Sequence, residues 1–347
     1  MIKKRIAVIG CGRISEMYKR VFLEMLDRLE ISYAVDKDIK KAEAFAKNFE
    51  GCFALTDYRE LKEGMVDVVH ILTPHFLHKE HSIYCMEQGF CVLCEKPIAT
   101  TLSDAKKIIE CVERTNSTYG IIFQNRYTEG IQKLIELKNK GELGKILGAS
   151  STLSWHRPPS YYECDWKGSW EKEGGGVVID QAIHSLDLVR YVVDAPVHSI
   201  DGHICQRKLF VTEVEDEADA LIDFENGACY SFYACNYYVR NTPIRIDFAF
   251  ERGSAILLGT KMTITIDGRE DAIVIDSDQG INVKGKGYWG NYHGKQIKEF
   301  YDNLDSNKDV PFSAKDATKT LEMVLGIYKS SNIGRKLFLD DFSLKLD

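Results

Sequence analysis

Short, continuous apolar runs alternate with amphipathic stretches through the first third of the chain. The predicted strands are Arg5–Ile9, Ile31–Val35, Val66–Leu72, Phe90–Cys94 and Tyr119–Phe123. The predicted helices between them are Ser15–Arg28, Lys40–Phe49, Leu77–Gln88 and Leu102–Asn116. Apolar strands separated by helices are typical of a parallel sheet covered on both faces. The pattern therefore predicts a doubly wound α/β domain over residues 1–123.

The pattern changes in the remainder of the chain, where strand-like runs follow one another. Asp216–Phe224 alternates polar and apolar residues, and Asn226-Gly227 supplies a tight hairpin turn before Ala228–Ala234. The other elements predicted here are helices at Val177–Val193, Lys295–Asp305 and Ala314–Arg335, with strand-like runs from Val197 to about Ile275. We therefore expect a second, α+β domain over residues 124–347, with a large mixed, mostly antiparallel sheet.

Composition and charge narrow the class of protein. A chain of 347 residues suits two domains, and 44% hydrophobic with 28% charged residues is typical of a globular protein with a core. The net charge of -7 argues against nucleic acid or an anionic membrane as the main partner. The apolar run Ile6–Ile9 is broken by Gly10, and no stretch is long enough to span a bilayer, so we expect a cytoplasmic protein.

The ten cysteines are scattered and lack the density of a disulfide scaffold. Cys91 and Cys94 form a C-x-x-C pair, which is compatible with a metal or redox motif or with two reduced buried thiols. An odd separation within a strand directs the two side chains to opposite faces, which favours the thiols. No other cluster has convincing metal-ligand spacing, so we expect no metal.

A glycine-rich turn follows the first strand and opens the first helix, with the sequence G-C-G-R-I-S from Gly10 to Ser15. Such a turn needs one glycine for the bend and another for close approach of the backbone to a pyrophosphate. Asp36 ends the second strand, where a carboxylate accepts hydrogen bonds from ribose hydroxyls and repels a 2′-phosphate. We therefore expect NAD rather than NADP, although the neighbouring Lys37 is a cation that tolerates a phosphate.

Three further motifs carry chemistry. Thr73-Pro74-His75, with His78 behind it, and Glu95-Lys96-Pro97 follow the carboxyl ends of strands, where ligands bind in this architecture. In the run G-G-G-V-V-I-D-Q-A-I-H, Asp180 and His184 are four residues apart on one helical face and form a candidate acid/base pair. Asp187 is placed to orient the His184 ring.

Taken together, these motifs resemble the Gfo/Idh/MocA family of sugar and inositol dehydrogenases. The resemblance implies an amino-terminal Rossmann domain, NAD as cofactor, and Lys96 in contact with the hydroxyl that is oxidised. It implies Asp180 and His184 as the other catalytic residues, with His184 accepting the proton, although the family varies in whether lysine or histidine is the principal base. The segment from Trp166 to Trp170 resembles that of members acting on pyranose rings, in which a tryptophan–basic pair approaches the nicotinamide.

The residues expected to bind the cofactor are Gly10, Gly12, Arg13, Ile14, Asp36, Lys37, Thr73, Pro74, His78, Glu95, Lys96 and Trp166. We expect hydride transfer between NAD(H) and a secondary hydroxyl or ketone of a sugar, cyclitol or nucleotide sugar, in a homodimer or homotetramer. Two alternatives stay open on the sequence alone. One is transient oxidation by a retained NAD coupled to elimination or hydrolysis, and the other is a non-catalytic NAD-binding regulator.

Overall fold

Six parallel strands form the first sheet of the computed structural model, which describes residues 3–277 and 292–339. The strands are β1 (Lys4–Ile9), β2 (Leu29–Val35), β3 (Phe53–Leu55), β4 (Val68–Ile71), β5 (Cys91–Cys94) and β6 (Tyr119–Ile121), in the order β3-β2-β1-β4-β5-β6. The connecting helices are α1 (Ser15–Leu23), α2 (Ile39–Ala46), α3 (His78–Glu87) and α4 (Leu102–Thr115). The predicted doubly wound sheet is confirmed.

The strand order places the candidate motifs at one edge of this sheet. All four residues of β4 are buried, as expected of a strand covered on both faces. From β1 the sheet continues through β2 and β3 on one side and through β4, β5 and β6 on the other, so the strand order changes direction between β1 and β4. In open α/β sheets, ligands bind outside the carboxyl ends of the strands at such a point. The residues that follow β1, β4 and β5 are Gly10, Leu72 and Glu95.

Nine strands form the second sheet, in the order β14-β13-β12-β11-β7-β10-β9-β8-β15. The strands are β7 (Ile146–Ser154), β8 (Val197–Cys205), β9 (Glu217–Phe224), β10 (Cys229–Cys235), β11 (Arg245–Phe250), β12 (Gly253–Leu258), β13 (Lys261–Ile266), β14 (Ile273–Asp276) and β15 (Leu337–Phe338). In the described structure β7 and β10 pair in parallel and the other neighbours pair antiparallel. The predicted mixed, mostly antiparallel sheet is confirmed, as is the β9–β10 hairpin with its turn at Gly227.

Helices complete both parts of the chain: α5 (Glu129–Asn139), α6 (Ile183–Val193), α7 (His293–Asp305) and α8 (Ala314–Ile333). The helix predicted at Val177–Val193 differs in kind at its start, because Val178–Ala182 forms a π-helical turn before α6. π-Helical turns occur frequently at functional sites. Within the described ranges no helix combines the length and apolar character needed to cross a bilayer.

The chain divides into two compact units, and the division is not contiguous. The first unit contains Met1–Phe123 and His293–Thr318, so the predicted assignment of all of residues 124–347 to the second domain does not hold for the later segment. The side chain of Gln296 in α7 accepts a hydrogen bond from the Phe123 amide at 2.9 Å and donates one to the Ile121 carbonyl at 2.8 Å. The Ile121 amide in turn donates to the Phe312 carbonyl at 2.9 Å. The returning segment thus satisfies the outer edge of β6.

Candidate active site

The glycine-rich turn connects β1 to α1. Gly10 has a φ of +98°, and a Cβ there would lie 2.8 Å from the carbonyl carbon of Leu72, so the turn requires glycine. At Gly12 an added Cβ would meet none of the described atoms within 4 Å. The N-cap of α1, Ile14, forms no side-chain hydrogen bond to the first amides of the helix. Accessible backbone at a helix amino terminus is the arrangement that binds a pyrophosphate.

Asp36 links this turn to the end of β2. Its Oδ2 accepts a hydrogen bond from the amide of Cys11 at 2.9 Å, and its Oδ1 accepts one from the amide of Asp38 at 2.9 Å. Each carboxylate oxygen can accept a second hydrogen bond, which leaves capacity for ribose hydroxyls. Arg13 and Lys37, the two predicted cations of this region, are both exposed.

The loop after β4 is fastened by a buried histidine. His78 is fully buried, with Nδ1 2.6 Å from the Pro97 carbonyl oxygen and Nε2 2.8 Å from the Thr73 carbonyl oxygen. Burial lowers the pKa of His78, while the two carbonyl contacts act in the opposite direction. The ring thereby joins the loop that contains Thr73 and Pro74, both half-buried, to the loop beyond β5. His78 is placed to position these loops.

Glu95 and Lys96, which follow the end of β5, differ in burial and in their contacts. Glu95 is buried, and its Oε1 accepts a hydrogen bond from the Tyr18 hydroxyl at 2.8 Å and lies 3.3 Å from Nε2 of His293. Burial disfavours its charged form, but the His293 and Tyr18 hydrogen bonds outweigh burial and lower the pKa of Glu95 to about 2. The Glu95 carboxylate is therefore committed to the interior of the first unit, whereas Lys96 beside it is half-buried.

Two of the three glycines before the π-helical turn permit close packing. A Cβ on Gly175, whose φ is +141°, would collide with the hydroxyl of Tyr328, and one on Gly176 would collide with the backbone carbonyl of Glu215. The Glu215 carboxylate accepts hydrogen bonds from the amides of Gly176 at 2.7 Å and Val178 at 3.0 Å, and from the Tyr328 hydroxyl at 2.9 Å. Burial nevertheless raises the pKa of Glu215 to about 7. This carboxylate serves as the acceptor for the start of the helix.

Asp180 lies in the π-helical turn within a group of donors. Its Oδ2 accepts hydrogen bonds from the Tyr161 hydroxyl at 2.7 Å, from Lys167 Nζ at 2.6 Å and from the Gln181 side chain. Lys167 Nζ also donates to Oε1 of Glu173 at 3.0 Å. Burial and the nearby Asp180 charge raise the pKa of Glu173 to about 8, whereas the two carboxylates hold the pKa of Lys167 well above its usual value despite burial. One ammonium thus serves two carboxyl groups, of which Glu173 is buried and Asp180 is half-buried.

His184 is buried in the first turn of α6, four residues after Asp180. Asp187, which the sequence predicts to orient the His184 ring, also accepts hydrogen bonds from other parts of the second unit. Asp187 accepts two hydrogen bonds from Arg126, at 2.7 and 2.5 Å, and one from the Thr320 hydroxyl at 2.8 Å. The structure therefore places Asp180 and His184 on successive turns of one helix and assigns Asp187 to a buried ion pair.

Trp166 and Trp170, which precede the three glycines, make different contacts. Trp166 is half-buried, and Lys167 Nζ lies 4.4 Å from the centre of its ring, within cation–π distance. Trp170 donates its indole N–H to the Glu213 carbonyl at 2.9 Å and packs edge-on against Tyr328 at 5.2 Å. Trp170 therefore anchors its loop, whereas Trp166 lies beside the Lys167 cluster.

The C-x-x-C pair forms neither a disulfide nor a metal centre in the described structure. Cys91 and Cys94 are the two ends of β5, and both are free thiols. Burial raises the pKa of each thiol. No group of three or more His, Cys, Asp and Glu side chains in the described ranges is arranged to hold a metal ion.

Sequence reasoning did not identify Glu173 or Glu215 as parts of this site. Glu173 directly precedes the three glycines, so its position beside a functional motif was the available signal. Glu215 lies 39 residues from Gly176 in the chain, and only the fold brings its carboxylate to the helix start.

Comparison with known proteins gives consistent matches along the chain. Residues 4–123 match the profile of a family described as "Oxidoreductase family, NAD-binding Rossmann fold", and residues 131–256 match the "GFO/IDH/MocA C-terminal domain". Among curated relatives, D-glucoside 3-dehydrogenase of Escherichia coli is 23% identical over 96% of this chain and 97% of its own. Myo-inositol 2-dehydrogenase of Thermotoga maritima is 24% identical over 97% of this chain and 99% of its own.

Solved structures give the same result for the fold. The WlbA dehydrogenase of Chromobacterium violaceum, solved with NADH and UDP-GlcNAcA, is 25% identical with a TM-score of 0.86, covering 97% of this chain and 96% of its own. A levoglucosan dehydrogenase, solved with NADH and levoglucosan, superposes with a TM-score of 0.86 at 20% identity, covering 97% of this chain and 99% of its own.

Proposed function

We propose that this chain, which belongs to the Gfo/Idh/MocA family of NAD-binding oxidoreductases, transfers hydride between NAD(H) and a secondary hydroxyl or ketone of a sugar, cyclitol or nucleotide sugar. The observation that supports it most is the helix start at which Asp180 and His184 follow one another, with Asp180 held by Lys167 and Tyr161. The relatives act on glucosides and inositols, and the 25% identical WlbA structure contains a nucleotide sugar.

The first unit fits NAD. Gly12 leaves open space at the amino terminus of α1 for a pyrophosphate, and Asp36 retains hydrogen-bonding capacity for the adenosine ribose. Arg13 and Ile14 complete the turn, while Thr73 and Pro74 stand in the loop that His78 positions. The carboxylate of Asp36 favours NAD over NADP, because a 2′-phosphate there would be repelled.

The protein's own groups handle the proton. Bound NAD supplies the hydride acceptor. His184 accepts the hydroxyl proton, because histidine is the side chain that most often acts as a general base. Lys96 hydrogen-bonds the reacting oxygen and favours loss of its proton. Asp180, which Tyr161 and Lys167 hold through Oδ2, hydrogen-bonds the substrate or orients the dyad.

The cellular setting and assembly are also part of the proposal. We place the protein in the cytoplasm, since all ten cysteines are free thiols, as expected in a reducing compartment. A homodimer or homotetramer is supported by apolar side chains exposed on the second sheet, such as Leu147 on β7 and Leu221 on β9, which are 53% and 44% exposed. Size-exclusion chromatography with light scattering tests the assembly.

The function is tested by NADH formation with NAD or NADP across inositols, free hexoses, glycosides and UDP-sugars. Lys96→Ala and His184→Ala variants run beside Lys47→Ala and His203→Ala, which remove an exposed lysine and an exposed histidine. Turnover with NAD that is lost in the first two variants and retained in the controls supports the proposal. Tight NAD binding without turnover contradicts dehydrogenation, and absence of NAD binding contradicts the whole assignment.

A further inference from the structure

Arg157 is a buried arginine just beyond the end of β7, in the second unit. Its side chain is part of a residue only 8% exposed. Its amide donates to the Asn236 carbonyl at 2.8 Å, and the preceding residue, His156, forms a β-bridge with Tyr237. The backbone that carries the guanidinium is therefore fixed by its neighbour on the β10 side.

The Arg157 guanidinium contacts two aromatic rings and donates hydrogen bonds through Nη1. Its central carbon lies 4.6 Å from the centre of the Trp155 ring and 5.1 Å from that of Tyr161. Nη1 donates to the His156 carbonyl at 2.9 Å and to Oδ1 of Asn241 at 3.3 Å. Nε is buried without a hydrogen-bond partner, and no carboxylate of the described residues forms an ion pair with Arg157.

This arrangement is unusual for a buried charge. Arginine is rarely buried without an anion, because an unpaired charge in the interior is strongly unfavourable. The aromatic rings offset part of this cost through cation–π attraction. They do not satisfy the in-plane donors, and Nε together with Nη2 forms the side edge of the guanidinium, which matches two oxygens of a carboxylate or phosphate.

Arg157 is connected to the proposed catalytic residues through Tyr161. The Tyr161 hydroxyl donates to Asp180 Oδ2 at 2.7 Å, and Lys167 Nζ lies 4.6 Å from the same ring. Of the charged groups in this cluster, Arg157 and Lys167 are cationic and Asp180 is anionic, while the pKa of Glu173 is raised to about 8, chiefly by burial. Because Asp180 and Glu173 share Lys167 as their cation, Arg157 is the cation of this cluster for which the described residues provide no carboxylate, and this favours an anionic ligand.

We infer that Arg157 binds an oxyanion of the substrate through its Nε and Nη2 edge, so that this enzyme selects an acidic sugar derivative. The inference rests on the proposed function and specifies its substrate class. Two sources supply this chemistry: a carboxylate on the sugar itself, or the phosphate of a nucleotide sugar. Both present paired anionic oxygens to a guanidinium.

The test is calorimetric binding to the intact, NADH-loaded protein, with four probes: glucose, glucuronate, UDP-glucose and UDP-glucuronate. A carboxylate site predicts that each acid binds roughly 10- to 100-fold more tightly than its neutral counterpart. A phosphate site predicts the same preference for the UDP-sugars over the free sugars. Because binding is measured without turnover, this result is separate from failure of dehydrogenation itself.

Three variants locate the effect. Arg157→Gln is expected to abolish the preference, whereas Arg157→Lys, which retains the charge but not the fork, should restore only part of it. Arg240→Gln removes an exposed charge from the neighbouring loop and should leave the preference intact. Far-UV circular dichroism and thermal unfolding verify that each variant is folded, and the wild-type comparison of probes stands without any variant.

Several outcomes overturn the inference. Equal affinity of the wild-type protein for the neutral and anionic probes does so, as does absence of binding by any anionic probe. A preference that a folded Arg157→Gln variant retains also contradicts it. If Arg157→Gln and Arg240→Gln lost the preference for anionic probes equally, the preference would come from the overall positive potential of this region and not from a specific contact with Arg157.

Discussion

Replacing Gly12 with alanine separates cofactor binding from folding. An added Cβ at Gly12 meets none of the described atoms within 4 Å, and its φ is outside the left-handed range. The substitution therefore introduces no clash into the folded protein. Because alanine restricts the unfolded chain more than glycine does, the free energy of unfolding should stay constant or rise by up to about 1 kcal/mol.

In the proposed NAD site, the same methyl group would occupy space at the amino terminus of α1 that the pyrophosphate needs. Loss of one hydrogen bond from a backbone amide to a charged phosphate corresponds to roughly 1.5–3 kcal/mol. Gly12→Ala should therefore weaken NADH binding roughly 10- to 150-fold. Titration of NADH fluorescence measures the dissociation constant, and urea unfolding without cofactor measures stability.

Two other glycines of the first unit provide the comparison. At Gly294, in α7, the nearest described atom to an added Cβ is a methyl carbon of Val21 at 3.6 Å, an ordinary contact, so Gly294→Ala should leave NADH binding unchanged. At Gly10 the Cβ would lie 2.8 Å from the Leu72 backbone, and φ is +98°, so Gly10→Ala should destabilise the fold by roughly 2–4 kcal/mol. NADH affinity of Gly12→Ala within twofold of wild type would refute the assignment of this turn to the pyrophosphate.

Three further predictions follow from the second unit. His184→Gln should lower kcat roughly 100- to 10,000-fold and leave the NADH dissociation constant unchanged. Stopped-flow kinetics measure kcat and NADH fluorescence measures the dissociation constant, and an unaltered kcat would contradict the proposed role of His184 as base. Lys167→Met should lower the free energy of unfolding by roughly 3 kcal/mol in urea titrations, because the buried Glu173 and the half-buried Asp180 lose their shared cation. Lys167→Arg should recover part of this stability, and equal stability of the two variants contradicts the ion-pair account. Since burial raises the pKa of Glu215 from 4.5 to about 7, the unfolded state binds fewer protons than the folded state between these values, and stability falls by up to about 3 kcal/mol as the pH rises through this window. Urea titrations at pH 5 and pH 7.5 should show that the free energy of unfolding changes less between the two pH values in Glu215→Gln than in wild type. An identical change in both proteins would contradict this role of Glu215.

The elements that could be predicted from sequence are those with a strong local pattern. The buried strands β1, β4 and β5 were recognisable because each consists mainly of apolar residues, with His70 as a polar residue inside β4. β3 was not predicted, since Phe53–Leu55 is short and has no fully buried residue. The helix that contains Asp180 was predicted, but apolar spacing does not distinguish a π-helical turn from an α-helical one.

The roles of individual side chains were less predictable than the positions of the motifs. Each motif falls where the pattern placed it, at a strand end or a helix start. The partners that determine what a side chain does come from distant parts of the chain: His293 for Glu95, Arg126 for Asp187, and Glu215 for Gly176. Such pairings cannot be predicted from the local sequence, because they depend on how the helices and strands pack in the folded protein.

The non-contiguous first unit has a consequence for protein synthesis. The edge strand β6 is made early, but Gln296 and Phe312, which satisfy its amides and carbonyls, are made after the intervening residues 124–292. At translation rates of about 5–20 residues per second, that edge waits roughly 10–30 s for its partners. During this interval an exposed strand edge can pair with another nascent chain. A fragment ending at Phe123 would retain the same exposed edge permanently, so an isolated nucleotide-binding half should be prone to aggregation unless the returning segment is fused to it.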